Sequence, residues 1–302
     1  MKLLVVGAGQ MGAGIAQVAA AAGDEVTLLD RDDVTVQRGL AAIRRQLERG
    51  VEKERITAAQ RDATLASIVP LGAWADVDVE VAIEAATENE AVKRDLFALL
   101  DAHTPEAAIL ASNTSSISIT KLAGATSRPE RVIGMHYMNP VPVMALVEII
   151  RGIATSAETF ATIRSLALRH GKRPVEVRNY PGFVSNRILC PMLNEAIFAL
   201  FEGVGTVEAI DTVMKLGMNH PMGPLELADF IGLDTLASIL DVLQDGLGDP
   251  KYRACPLLRE YVAAGWLGRK SGLGFYDWRG GAKAERGDLG PSGVPAFALG
   301  RA

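Results

Sequence analysis

The segment GMHYMNPVPVMALVEII, Gly134 to Ile150, holds one of the chain's four histidines and, twelve residues after it, a lone glutamate in an apolar run. His136 and Glu148 are the side-chain types from which acid–base chemistry is built. Histidine, with an ordinary pKa of ~6.5, accepts and returns a proton near neutrality. A carboxylate on its other ring nitrogen fixes the tautomer and stabilises the imidazolium. Asn139-Pro140 and Val141-Pro142 lie between them as turn residues, so a strand ending near His136 and a second strand carrying Glu148 can bring the pair together. The same spacing also suits a hydrogen-bonded core histidine beside an unrelated strand.

A second constellation opens the chain. In KLLVVGAGQMGAGIAQVAAAAGDEVTLLD, Gly7, Gly9 and Gly12 form G-x-G-x-x-G, with Gln10 and Met11 inside the motif. Such a loop needs glycines because its turn is tight, a pyrophosphate must approach the backbone, and the helix must pack on the strand. The helix N-terminus then turns unpaired N–H groups and a partial positive charge towards the phosphates. Asp30 ends the next apolar run 18 residues after Gly12, about where an acid holds the adenosine ribose hydroxyls. The pattern predicts dinucleotide binding, with NAD as cofactor because a carboxylate repels a ribose 2′-phosphate. Arg31, a cation just past the acid, would accommodate that phosphate, so NADP is the alternative.

The elements that must position these residues follow from hydrophobic periodicity. KLLVV, EVTLL, VEVAIEA, AILAS, RVIGM and ALVEII read as short strands separated by helical patterns. This alternation predicts parallel strands linked by helices. Leu3 to Val6 is apolar on both faces, as in a sheet covered on both sides. A last strand precedes Pro181 and Gly182. Beyond them the periodicity is helical: VSNRILCPMLNEAIFALFEGVG stops at glycine, TVEAIDTVMKLGM begins with Thr206 as a plausible N-cap, and LELADFIGLDTLASILDVL follows a Gly-Pro break. After Trp278 a Gly-, Ala- and Arg-rich stretch shows no sustained period and reads as an extension outside the core. At 302 residues two domains are expected.

Composition narrows the function classes. With 49% hydrophobic and 22% charged residues the chain is globular, and a net charge of -5 gives no reason to expect nucleic acid or an anionic membrane as the main partner. Cys190 and Cys255 are the only cysteines and have no metal-type spacing, so neither a disulfide framework nor a metal site is expected. Too few apolar residues precede Gly7 for a secretory signal, and no run approaches the roughly 18 apolar residues of a membrane span. The expected compartment is the cytoplasm.

Ordered motifs across residues 2 to 278 give a resemblance: GAGQMGAGIA, VAIEAATENEAVK, SNTSSISIT, GMHYMNPVPVMALVEII, PGFVSNRIL, MGPLELADFIGLD and GWLGRKSGLGFYDW. Together they resemble the short-chain L-3-hydroxyacyl-CoA dehydrogenase family and, within it, the bacterial 3-hydroxybutyryl-CoA dehydrogenases. The resemblance implies an α/β fold, a Rossmann-type doubly wound, mostly parallel sheet followed by an all-helical C-terminal domain. Residues 1–180 would bind the dinucleotide, 181–280 would serve substrate and homodimerisation, and 281–302 would form a C-terminal extension. It implies His136 as catalytic base, Glu148 as its partner, and Ser115 and Asn186 as hydrogen-bonding partners of the substrate oxygens near the reacting carbon. Asp30, Glu88, Lys93 and Asn113 match cofactor-contacting positions.

Lys53 matches a group that contacts coenzyme A, although Gln46 stands where the family often has serine. Arg44, Arg45, Arg49, Lys53 and Arg55 read equally as a solvated helix face. Tyr137 and Met138 replace the aromatic pair that often follows the base, a change expected in the pocket wall. His103, His170 and His220 have no evident carboxylate partner and read as structural. The implied reaction is hydride transfer between NAD and a short-chain (S)-3-hydroxyacyl-CoA. The alternatives are a dehydrogenase of a non-CoA hydroxy acid, such as a sugar acid or carnitine, and a non-catalytic nucleotide-binding protein.

Overall fold

The computed structural model describes residues 1–290 and 292–294. The chain divides into two compact units, Met1–Phe183 and the residues from Val184 onward.

The first unit is built on one eight-stranded sheet, order β3-β2-β1-β4-β5-β6-β7-β8. Its strands are β1 Lys2–Val6, β2 Glu25–Leu29, β3 Ile68–Leu71, β4 Val81–Glu84, β5 Ile109–Ser112, β6 Val132–Tyr137, β7 Leu146–Arg151 and β8 Arg173–Arg178. Helices α1 Gln10–Ala21, α2 Asp33–Glu52, α3 Ala58–Ala66, α4 Glu90–His103, α5 Ile119–Ala123 and α6 Ala157–Arg169 complete it. β1, β4, β5 and β6 are buried almost throughout, and two apolar clusters lie around the sheet, one containing Leu3, Val5 and Ile83, the other Leu4, Val6 and Ala82. Alternate residues of one strand thus enter opposite clusters, which is why Leu3 to Val6 of β1 and Val81 to Ile83 of β4 are apolar on both faces, with polar residues kept to the strand ends.

Two features depart from the sequence reading. β3 was not anticipated, because IVPL is short and contains Pro70; it lies at the sheet edge, where a missing N–H leaves no ladder bond unmade. ALVEII does not continue the parallel series. β7 runs antiparallel to β6 because the short link between them holds no crossover helix.

The unit from Val184 is helical: α7 Ser185–Phe201, α8 Val207–Gly217, α9 Pro224–Ile231, α10 Leu233–Leu247 and α11 Pro256–Ala263. Thr206 caps α8 by accepting from Ala209 N–H at 3.2 Å. The pattern LELADFIGLDTLASILDVL contains two helices, not one, because Gly232 at φ +103° ends α9 and starts α10. Cys190, Leu193, Ile197 and Leu200 of α7 form the helical core with Leu225, Leu236, Leu240 and Leu258.

Residues 279–290 and 292–294 do not stand apart from this core, as their composition suggested. Leu289 and Val294 pack against it, Tyr261 Oη donates to Gly293 O at 2.5 Å, and the Arg286 guanidinium lies 4.2 Å over the Trp266 ring. The rest of the expected extension, Pro291 and residues from Pro295 onward, lies outside the described residues.

Candidate active site

Apart from Lys53, the residues singled out in the first unit lie at or just past the carboxyl ends of its parallel strands or, for Glu148, opposite one of them, where open α/β sheets bind ligands. His136 and Glu148 are direct register partners in the β6–β7 ladder, so their side chains share one face. His136 Nδ1 lies 2.9 Å from Glu148 Oε2, with His136 at 8% exposure. A carboxylate can only accept, so Nδ1–H is the donor in this bond and Nε2 is the ring nitrogen turned away from Glu148. The Phe183 ring lies 6.0 Å from the imidazole, between centroids. The pair is therefore an imidazole held in one orientation, with an aromatic ring beside it.

The glycine loop fits a pyrophosphate. Gly7 adopts φ +103°, and a Cβ there would meet Ala85 O at 2.7 Å; a Cβ on Gly12 would strike Gly7 O at 1.7 Å. Over Gly9 a Cβ would meet nothing within 4 Å, which leaves the backbone open to close approach. Asp32, Thr57, Asn89 and Ser156 cap their helices with side chains, whereas Gly9 begins α1 with none. The first N–H groups of α1 thus point towards the loop's open side. Asp30 Oδ2 accepts from Ala8 N–H and Oδ1 from Arg31 N–H, both at 2.7 Å, which fixes the carboxylate beside the loop. Gln10 Nε2 reaches Asn139 Oδ1 at 3.1 Å and ties this loop to the turn after β6, one residue from Met11. These residues suit NAD.

The loop after β5 carries Asn113 and Ser115. Asn113 Oδ1 accepts from Tyr137 N–H at 2.9 Å, so it braces the end of β6. Glu88 Oε1 accepts from Thr114 Oγ1 at 2.7 Å, Ser115 N–H at 2.8 Å and Ser115 Oγ at 2.9 Å. Lys93 does not lie on the surface of the site. It is 1% exposed, beneath the loop, with Nζ 3.9 Å from Glu88 Oε2. Asn186 lies at the start of α7, in the helical unit.

Lys53 lies on a cavity of about 870 Å3 within the first unit, between α1, the end of α2 and the segments 142–145 and 169–172. Arg45, Arg49 and Arg55 line it with Lys53, as does Gln46, while Arg44 does not. Gln17, on the same wall, is 8% exposed and its Oε1 has no hydrogen-bond partner. The basic side chains are solvent-exposed along this open cavity, as on a solvated helix face, and Gln17 beside them is a buried acceptor without a hydrogen-bond partner.

Three sequence expectations change here. Tyr137 follows His136 on the strand and so faces the opposite side; its hydroxyl lies 2.8 Å from His170 Nδ1, away from the base, and it forms no wall of that site. His170 has a carboxylate partner after all, Asp24 Oδ2 at 2.9 Å from Nε2, and His103 pairs with Asp76 at 2.9 Å. Neither partner is near in sequence, so no local signal reveals it. Glu84 and Ser112, which end β4 and β5, were also missed, though Glu84 repeats the pattern of Asp30: an acid closing an apolar strand.

Residues 2–180 match the model of the 3-hydroxyacyl-CoA dehydrogenase NAD-binding domain, and residues 182–278 that of the 3-hydroxyacyl-CoA dehydrogenase C-terminal domain. The chain is 56% identical over 278 residues to a probable 3-hydroxybutyryl-CoA dehydrogenase of Bacillus subtilis, covering 92% of this chain and 97% of the relative. It is 55% identical over 280 residues to a 3-hydroxybutyryl-CoA dehydrogenase of Bradyrhizobium diazoefficiens, covering 92% and 96%. Among solved structures, the (S)-3-hydroxybutyryl-CoA dehydrogenase from Ralstonia eutropha superposes with a TM-score of 0.89 at 52% identity, covering 91% of this chain and 98% of that one.

Proposed function

The chain belongs to the 3-hydroxyacyl-CoA dehydrogenase family, and on that premise we propose that it interconverts a short-chain (S)-3-hydroxyacyl-CoA, 3-hydroxybutyryl-CoA first, and its 3-oxoacyl-CoA with NAD. The observation that carries the reading is the His136–Glu148 bond, which leaves a basic nitrogen at the carboxyl edge of the sheet.

When bound, NAD supplies the acceptor and donor of the hydride. Gly7, Gly9, Gln10, Met11 and Gly12 form its phosphate cradle, and Asp30 takes the adenosine ribose. His136 Nε2 removes the substrate hydroxyl proton in the oxidative direction and returns it in the reductive one. Glu148 holds Nδ1–H and stabilises the imidazolium. Ser115 and Asn186 bind the reacting oxygen, Ser115 through a lone pair of its hydroxyl while that hydroxyl's proton goes to Glu88, with Asn113 and Glu88 keeping the Ser115 loop in place. Lys53, with Arg45, Arg49 and Arg55, attracts the coenzyme A phosphates to the cavity they line.

The helical unit exposes Ile188, Val204, Val213, Leu216 and Met218, which supports a homodimer through that unit. Sedimentation showing only monomers at micromolar concentration removes it. No helix among the described residues is long and apolar enough to cross a membrane. We place the reaction in the cytoplasm, within fatty-acid metabolism, because its substrates are soluble CoA thioesters.

The test is nicotinamide oxidation with acetoacetyl-CoA against free acetoacetate, run with NADH and NADPH, for the wild type and His136→Gln. The expected result is a clear preference for the CoA ester and for NADH, with a loss of about 10²–10⁴ in kcat on removing the base. Equal rates on both substrates, or an unimpaired variant, overturn the proposal.

A further inference from the structure

Glu84 closes β4 with a fully buried carboxylate that collects three donors. Ser112, its register partner at the end of β5, donates Oγ at 2.9 Å, Ala86 donates N–H at 2.8 Å, and Lys93 of α4 donates Nζ at 2.5 Å. Lys93 is therefore one buried ammonium shared between two carboxylates, Glu84 at 2.5 Å and Glu88 at 3.9 Å. Glu88 in turn holds both the backbone N–H and the hydroxyl of Ser115. A continuous polar chain thus runs from Ser112 through Glu84, Lys93 and Glu88 to Ser115.

Burying such a pair brings little stability by itself, since removing two charges from water offsets most of their attraction, and apolar residues of similar volume often fold as well. What the pair supplies is direction. With Glu84 on one side, the ammonium of Lys93 has a fixed place, and Glu88 is drawn to a fixed place over it. Glu84 also pins Ala86 N–H, next to the Ala85 carbonyl against which Gly7 packs. One carboxylate therefore sets two neighbouring loops, the one beside the glycine cradle and the one that carries Ser115.

We propose that Glu84, acting through Lys93 and Ser112, is a positioning residue for the reaction, fixing Glu88 and Ser115 without touching substrate. The inference rests on the dehydrogenase function proposed above.

The test compares Glu84→Gln, Ser112→Ala and the double variant Glu84→Leu with Lys93→Met, measuring kcat and KM with acetoacetyl-CoA, NADH affinity by nicotinamide fluorescence, and the thermal midpoint. Glu84→Gln leaves the ammonium beside a neutral amide. It is expected to lower kcat about 10–100-fold, the range associated with ångström-scale misplacement, and to weaken NADH binding a few-fold. Ser112→Ala, which removes one neutral donor, is expected to lower kcat threefold to tenfold and the midpoint by only a few degrees, so that the chain stays folded at the assay temperature. The double variant removes both charges and fills their space, so it regains the midpoint lost in Glu84→Gln while kcat stays at least tenfold down. Wild-type kcat and KM in Ser112→Ala, or in any of these variants that folds, show that the pair only supports the fold and overturn the inference. Failure of the wild type to reduce acetoacetyl-CoA is a separate outcome, which overturns the function itself.

Discussion

On β6 two adjacent side chains have unrelated work. His136 faces Glu148 and carries the proposed chemistry, while Tyr137 turns to the other side of the sheet and bonds His170. Burial pushes the His170 imidazole below its usual pKa, against the opposing pull of Asp24, so it is neutral near pH 7. Neutral His170 has one N–H, which must go from Nε2 to the Asp24 carboxylate; Nδ1 then accepts from the Tyr137 hydroxyl. Asp24 accepts the Met1 ammonium and Arg169 besides. Tyr137→Phe leaves a buried acceptor without a donor and is expected to cost about 1–3 kcal/mol in urea unfolding. Because the hydroxyl points away from His136, kcat is expected to stay within about threefold of wild type. A large fall in kcat at unchanged stability contradicts that placement.

Among the elements, the loop after α11 depends on one acid of α9. Asp229 Oδ1 accepts from Phe275 N–H, and Oδ2 from Tyr276 N–H and Trp278 Nε1–H, each at 2.9 Å. Burial nevertheless dominates and pushes its pKa up from 3.8 to about 6, the three donors opposing that rise. The folded chain therefore holds this proton more tightly than the unfolded one. The associated stability is fully present below pH 3.8 and is lost as pH rises through about 6. Asp229→Asn does not titrate. Relative to it, the wild type should lose on the order of 3 kcal/mol between pH 4 and 7, measured by denaturant unfolding. A difference independent of pH refutes the raised pKa.

At the scale of the whole molecule, the chain continues beyond the family's matched region, and residues 279–294, where described, strap the helical unit. Lys283 pairs with Glu226 at 2.5 Å, Arg286 Nη1 donates to Gly274 O at 2.9 Å, and a Cβ on Gly293 would press against Leu200 and Leu257. Truncation after Trp278 should lower the thermal midpoint by several degrees, at roughly 2–4 °C per kcal/mol for a chain of this size, with little change in kcat. An unchanged midpoint shows that the strap is ornamental. By itself the sequence determined whatever is written in local pattern: the glycine cradle with Asp30, the alternation of strand and helix, the change to helical periodicity after Gly182, and the spacing that lets His136 meet Glu148. These follow from turn sterics and burial, which act over a few residues. Only the tertiary structure decided what depends on distant partners: that β7 reverses direction and sets His136 opposite Glu148, that Lys93 is buried between Glu84 and Glu88, that Tyr137 turns away from the base, and that Asp24 meets His170. Such pairings are set by sheet register and by the cost of burying an unpartnered charge, and neither is visible until the strands are side by side.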